Sequence, residues 1–166
     1  MRLMGALGTT VVVGMLMTGP AGAQSTADDR AALAGLKEAR VAFDITAGEA
    51  KRLLSVLNVI DETRESLIKQ GVTPRFVLTF RGPATVLISP NMEKVKPEDR
   101  DTVAKIAAKL RQLRGAGGVE AVEQCSVAMR LTETKAEHVL PEVKIVGNSW
   151  ISLMAYQSRG YAYIAP

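Results

Sequence analysis

Hydrophobic positions after residue 40 follow two periods, one typical of strands and the other of helices. Short apolar runs bounded by Gly, Pro or Thr predict strands, whereas apolar residues three and four positions apart predict helices. The predicted strands are 41–45, 75–80, 119–124, 143–146 and 161–164. The predicted helices are 49–70, 101–114, 126–140 and 149–158, and the apolar run 84–89 fits either a helical turn or extended chain.

The alternation of strand and helix predicts the fold class. Repeated strand–helix–strand units favour an α/β fold, here a single domain with a mainly parallel five-stranded sheet and helices on both faces. The polar, alanine-rich stretch 24–40 is predicted as an N-terminal extension with a short helix from Asp28 to Glu38, so the sheet domain spans 41–166.

The first 23 residues have the pattern of a secretory signal peptide. A basic start at Arg2 precedes the apolar run from Leu3 to Met17, and Pro20 and the small residues 21–23 follow. This order predicts export and cleavage after Ala23. The run is shorter than the roughly 20 apolar residues that span a bilayer, although an uncleaved anchor is the alternative. We therefore expect a periplasmic protein with no membrane segment after cleavage.

Composition narrows the chemistry that this chain can perform. The formal net charge of +4 is too small to indicate nucleic-acid binding. One cysteine and one histidine exclude an intrachain disulfide, a CxxC redox pair, a Cys-rich zinc site and a His-pair metal site. The sequence contains neither a Walker loop nor a GxGxxG motif. We expect no metal and no organic cofactor.

Cys125 is the residue whose position points most clearly to chemistry. It stands at the end of the third predicted strand and before a helix. Sites in parallel sheets form beyond the carboxyl ends of the strands, and helix N-terminal N–H groups favour a thiolate. The pattern therefore predicts a low-pKa nucleophile or sulfur acceptor. The alternative is a buried structural cysteine, because free cysteine is among the most buried residue types.

Other residues are candidates for the same rim of the sheet. Arg81 and Gly82 follow the second predicted strand, and Asn148 follows the fourth. Arg81 could hold an anion beside the thiolate or make a loop contact. Asn58, inside an apolar helix, either faces the rim or bonds a backbone group. His138 fits a surface or loop position better than a Cys–His pair, and the aromatic residues near the C-terminus fit packing or a subunit interface better than a ligand site.

Several segments together resemble the DsrE/DsrF-like sulfur-relay family, in its exported, signal-peptide-bearing branch. The resemblance covers about 41–166, and its order and spacing carry it more than any one motif. The matching segments are Val41–Thr46, Leu53–Asn58, Gly82–Ala84, Gly118–Glu120 leading to Cys125, Leu140–Val146 and Gln157–Pro166.

The resemblance implies a function and an assembly. Members of this family have a small α/β fold that usually assembles into trimers, hexamers or related hetero-oligomers. They carry sulfur as a persulfide on a cysteine at the end of the third strand, where Cys125 stands. Many relatives have a histidine before the Gly-Pro pair, where this chain has Arg81.

We therefore expect a periplasmic sulfur carrier or sulfurtransferase-like protein that holds sulfane sulfur on Cys125. Whether it acts as an enzyme stays open. Its partners would be a sulfur donor or acceptor protein or a small sulfur compound, and further copies of the chain. The alternative is a non-catalytic binding or assembly subunit with a structural cysteine. A peroxide sensor with a sulfenic acid at Cys125 ranks last, because no second cysteine is present to resolve it.

Overall fold

Five parallel strands form one sheet, as the sequence predicts. The computed structural model describes residues 28–89 and 91–166, so the predicted signal peptide, 1–23, lies outside the described residues. The strands are β1 (Glu38–Ile45), β2 (Thr73–Phe80), β3 (Val119–Cys125), β4 (Lys144–Val146) and β5 (Ala162–Ile164). Their spatial order is β4-β3-β2-β1-β5, and every neighbouring pair runs parallel.

Helices connect the strands and cover both faces of the sheet. They are α1 (Ala50–Lys69), α2 (Ala84–Leu87), α3 (Arg100–Gly115), α4 (Ser126–Leu131) and α5 (Ser149–Ser158). Two short 3-10 helices, Pro97–Asp99 and Ala136–His138, lie in the connections. The ambiguous segment 84–89 is thus one helical turn followed by a bend.

The apolar core lies between the sheet and the pair α1 and α3. Successive side chains of a strand point to opposite faces, and Phe43, Leu78 and Val122 are aligned across β1, β2 and β3. The core side chains from the two helices are Leu53, Leu57, Ile60, Val103, Ile106, Leu110 and Leu113. Packing of α1 and α3 against this face of the sheet holds β1, β2 and β3 in place.

The opposite face of the sheet carries buried polar groups beneath α5. Asp44, Thr79 and Glu123 are aligned across β1, β2 and β3, and all three are buried. On α5, the hydroxyls of Ser152 and Tyr156 donate to the Glu123 carboxylate. Burial and this hydrogen bond raise the pKa of Tyr156 to about 12. The phenol therefore stays protonated and keeps α5 attached to β3 at neutral pH.

The predicted helix 126–140 is wrong beyond Leu131. The hydroxyl of Thr132 bonds the carbonyl of Ala128 at 2.9 Å, and Glu133 adopts a left-handed backbone with φ 50°. Hydroxyls that bond nearby carbonyls compete with helix continuation, and a left-handed residue ends the helix. The chain then passes through turns and a 3-10 helix to reach β4.

The N-terminal extension also differs from the prediction. Residues 30–35 form consecutive turns in place of the α-helix predicted from Asp28 to Glu38, and Gly35 has φ 82°. That positive φ ends any helical continuation. The first strand begins at Glu38, which pairs with Thr73, so the sheet domain starts three residues before the predicted boundary at Val41. In the described part of the chain, no helix combines the length and hydropathy that crossing a bilayer requires.

Candidate functional site

Cys125 lies where β3 ends and α4 begins. It is the last residue of β3 and the N-cap residue of α4, in extended conformation. Its side chain is only 3% exposed, yet it lines a cavity of about 230 Å³ at the carboxyl edge of the sheet. The other lining residues are Arg81, Gly82, Val127, Ala128, Leu131, Thr132, Asn148, Ser149 and Trp150. The thiol therefore faces a small, largely apolar space.

A second helix N-terminus points at the same sulfur. The Asn148 side chain accepts a hydrogen bond from the backbone N–H of Trp150 at 2.9 Å and so caps α5. The preceding N–H, that of Ser149, donates to Cys125 Sγ at 3.4 Å. The N-terminus of α5 carries a partial positive charge, which favours the anionic form of the sulfur.

These contacts lower the pKa of Cys125 below its ordinary value. Burial alone raises the pKa of the thiol, but polar groups beside it outweigh burial: the nearby Ser149 hydroxyl, the Ser149 N–H that bonds Sγ, and the N–H groups of Ala128 and Val127. A lowered pKa increases the thiolate fraction near neutral pH, and the thiolate is the nucleophile. The arrangement supports a reactive cysteine although its exposure is small.

The lowered pKa predicts a measurable difference between folded and unfolded protein. We expect the ultraviolet absorbance of the Cys125 thiolate to titrate at lower pH in the folded chain than in the chain unfolded by urea. The reason is that the donors around Sγ exist only in the folded state. A folded-state midpoint at or above the unfolded one would contradict the site described here.

Arg81 is held by a buried carboxylate. Its Nε and Nη2 donate to Asp44 Oδ1 and Oδ2, both at 2.7 Å, and the Tyr163 hydroxyl donates to Oδ2 at 2.6 Å. The hydrogen bond to Asp44 raises the pKa of Arg81. The cation thus lines the Cys125 cavity as the partner of Asp44, and its predicted role as an anion holder stays a prediction.

The other predicted residues divide into two groups. Gly82 and Asn148 line the cavity with Cys125, and the left-handed φ of Gly82, 56°, explains a glycine there. Asn58 is not at the rim: it is exposed near the middle of α1, because helical periodicity turns Leu57 and Ile60 inward instead. His138 is in the second 3-10 helix and does not line the cavity.

A larger cavity adjoins the one at Cys125. It measures about 810 Å³ and shares Gly82 and Thr132 with the smaller cavity. The start of α1 and the side chains of Lys51, Lys94 and Lys96 contribute to its walls. The two cavities therefore share a wall at Gly82 and Thr132, close to the Cys125 end of the sheet.

Sequence reasoning missed the residues that hold the site in place. Asp44 and Glu123 fix Arg81 and α5, and Ser149 contacts the sulfur. A signal for the carboxylates was present, because Asp44 and Glu123 are acids inside apolar strands, and buried acids require partners. No such signal marks Ser149, since a serine at a helix start is common.

Comparisons with known proteins support the fold and leave the activity open. No family model matches the chain. An uncharacterized protein of Aquifex aeolicus is 29% identical over 125 residues, which are 75% of this chain and 55% of that protein. This chain therefore spans about half the length of that relative.

A solved structure is similar to about three quarters of this chain. The protein of unknown function MTH1491 from Methanobacterium thermoautotrophicum matches with a TM-score of 0.58 and 21% identity, over 77% of this chain and 99% of that one. The single α/β domain with five parallel strands is thus a known architecture, and it is consistent with a DsrE/F-like fold.

Proposed function

We propose that this protein carries sulfane sulfur as a persulfide on Cys125. The observation that supports the proposal best is the placement of a cysteine with lowered pKa in a cavity beneath the N-terminus of α5. The resemblance to the DsrE/DsrF-like sulfur-relay family supports the same chemistry. One thiol is sufficient for such a carrier, because a donor and an acceptor supply the other sulfur atoms.

The proposed loading step needs no oxidant. The Cys125 thiolate attacks the outer sulfur of a donor persulfide, R–S–SH, and forms a new S–S bond. The S–S bond of the donor breaks, and R–SH leaves with the proton. Cys125 then holds an anionic outer sulfur, which a thiolate or sulfite removes by the reverse type of attack.

The alternative is a structural cysteine in a non-catalytic assembly subunit, and the small exposure of Cys125 favours it. The two functions differ in the reactivity of the native thiol. A structural cysteine reacts with a thiol reagent only after unfolding, whereas a carrier reacts in the native state, because its thiolate faces the cavity.

Intact mass tests the proposal directly. After exposure to inorganic polysulfide under non-reducing conditions, the protein is expected to gain the mass of one sulfur atom and to lose it on treatment with dithiothreitol. Cyanide, as a simple acceptor, is expected to release the sulfur as thiocyanate and restore the starting mass. A chain that gains no reducible sulfur at any pH between 6 and 9 is not a persulfide carrier.

The carrier is proposed to act in the periplasm as a homo-oligomer, a trimer or hexamer. The pattern in residues 1–23 supports export, with the mature chain beginning at Gln24. Exposed apolar side chains support assembly: Trp150, Ile151 and Met154 are neighbours on the exposed side of α5. We name this set the α5 face. Contiguous apolar surface of this kind marks interfaces in soluble proteins.

A charge on the α5 face is expected to dissociate the oligomer. Ile151→Glu would place a carboxylate in the proposed interface, and burial of that charge without a partner is unfavourable. Sedimentation equilibrium should then report a monomer for the variant and a trimer or hexamer for the wild type. Ile68→Glu, on the exposed side of α1, is the matched control and should assemble normally. A monomeric wild type at high protein concentration would refute the assembly.

A further inference from the structure

We propose that the buried hydroxyl of Ser149 binds the outer, anionic sulfur of a Cys125 persulfide, a role that rests on the function proposed above. Ser149 would thereby be a sulfur-binding residue of the site and not merely the first residue of α5.

The position of Ser149 is unusual for a serine. Its side chain is 1% exposed and lines the cavity together with Cys125. Within residues 28–89 and 91–166, the Ser149 hydroxyl is one of a few buried polar atoms that make no hydrogen bond. Buried polar groups are bonded in the great majority of cases, because an unmet donor costs free energy. This donor is therefore available to a ligand.

The available donor lies beside the sulfur. The Ser149 N–H already contacts Sγ at 3.4 Å, and the hydroxyl is close enough to lower the pKa of the thiol without forming a hydrogen bond of normal geometry. Among the other buried hydroxyls without a partner, Thr79 and Ser89 do not line this cavity. A hydroxyl hydrogen rotates to suit its acceptor, and a sulfur bonded to Sγ would be an acceptor beside this hydroxyl.

The remaining walls offer few competing donors. The side chains of Val127, Ala128 and Leu131 are apolar, the N–H groups of Val127 and Ala128 already act on Sγ, and the Thr132 hydroxyl is bonded to Ala128. The Arg81 guanidinium is held by Asp44. A persulfide concentrates its negative charge on the outer sulfur, and a charged acceptor strengthens a hydrogen bond. The Ser149 hydroxyl is the buried group that fits this charge.

The test measures how the outer sulfur responds to pH. Wild type, Ser149→Ala and Ser149→Thr are loaded with inorganic polysulfide, and the rate of alkylation of the persulfide by iodoacetamide is followed by intact mass. Because the anion is the reactive form, loss of the hydroxyl should move the Ser149→Ala profile to higher pH. The rate on the acidic side should fall about tenfold, and the plateau at high pH should be retained. Ser149→Thr keeps a hydroxyl and should restore the wild-type profile.

Matched controls separate this role from folding and from general electrostatics. Ser158→Ala removes an exposed hydroxyl at the other end of α5 and should behave as wild type. Ser149→Gly replaces Ser149→Ala if the latter does not fold, as judged by circular dichroism. All variants keep the surrounding ionisable side chains, so those groups cannot explain a difference: Asp44, Arg81, Glu123, Arg130, Lys144 and Tyr163.

The outcomes distinguish the two proposals. If wild type loads and Ser149→Ala shows the shifted profile with its plateau retained, Ser149 binds the outer sulfur. If both load and their profiles coincide, or if only the plateau changes, the role of Ser149 is refuted and the carrier function stands. If wild type does not load at all, the carrier function fails and the role of Ser149 fails with it.

Discussion

Replacement of Cys125 by serine is expected to abolish sulfur loading completely. The chain has one cysteine, so no second thiol can take over the persulfide. A serine hydroxyl has a far higher pKa than a thiol and does not attack sulfane sulfur at neutral pH. Intact mass after polysulfide treatment should show the unmodified variant, and cyanide should release no thiocyanate from it.

The same variant is expected to fold almost normally, which makes its failure informative. Serine is nearly isosteric with cysteine and can accept the Ser149 N–H that Cys125 Sγ accepts now. Because a hydroxyl is more costly to bury than a thiol, we expect a loss of about 1 kcal/mol in the free energy of unfolding, measured by urea denaturation. Cys125→Ala controls for the lost polar contact. Reducible sulfur on Cys125→Ser under denaturing conditions would disprove the assignment of the acceptor.

Polar and apolar periodicity was sufficient to predict the architecture and the position of the cysteine. The strands, with ends shifted by up to three residues, and the parallel sheet follow from apolar runs that alternate with helical spacing. The order of the elements then required Cys125 to lie at the carboxyl edge, in front of a helix. The parallel sheet and the position of Cys125 both follow from the local hydrophobic pattern and from the order of strands and helices. A single sequence contains both kinds of information.

The contacts that hold the site were not predictable in the same way. The Asp44–Arg81 pair joins residues 37 positions apart, and Tyr163 joins them from the last strand. These bonds form because β5 pairs with β1 at one edge of the sheet. The chain reaches that edge through α5, starting from β4 at the opposite edge. Periodicity identifies neither the sheet edge that receives the last strand nor the side chains that meet there. For Asn58, the periodicity of α1 already indicated an exposed position, because Leu57 and Ile60 occupy the buried side of the helix.

Replacement of Asp44 by alanine is expected to be among the most damaging single changes to stability in the described part of the chain. The side chain of Asp44 is almost fully buried, and its two oxygens accept three hydrogen bonds, two from Arg81 and one from Tyr163. Removal of one partner from a buried pair costs about 3–5 kcal/mol, because the other charge stays without compensation. Arg81 keeps partial contact with water, so we expect the lower part of that range.

A double-mutant cycle separates the pair from simple loss of packing. Arg81→Ala alone should cost about as much as Asp44→Ala, because it leaves the almost fully buried Asp44 carboxylate without its cation, with only the Tyr163 hydroxyl as donor. The double variant should be only as unstable as Asp44→Ala, because neither charge is then left unpaired. Urea denaturation of the three proteins gives the coupling energy, which we expect to be about 1–3 kcal/mol. Additive effects would show that Asp44 acts through packing alone. Coupled effects, by contrast, would show that Arg81 and Asp44 stabilise the fold as a charge pair.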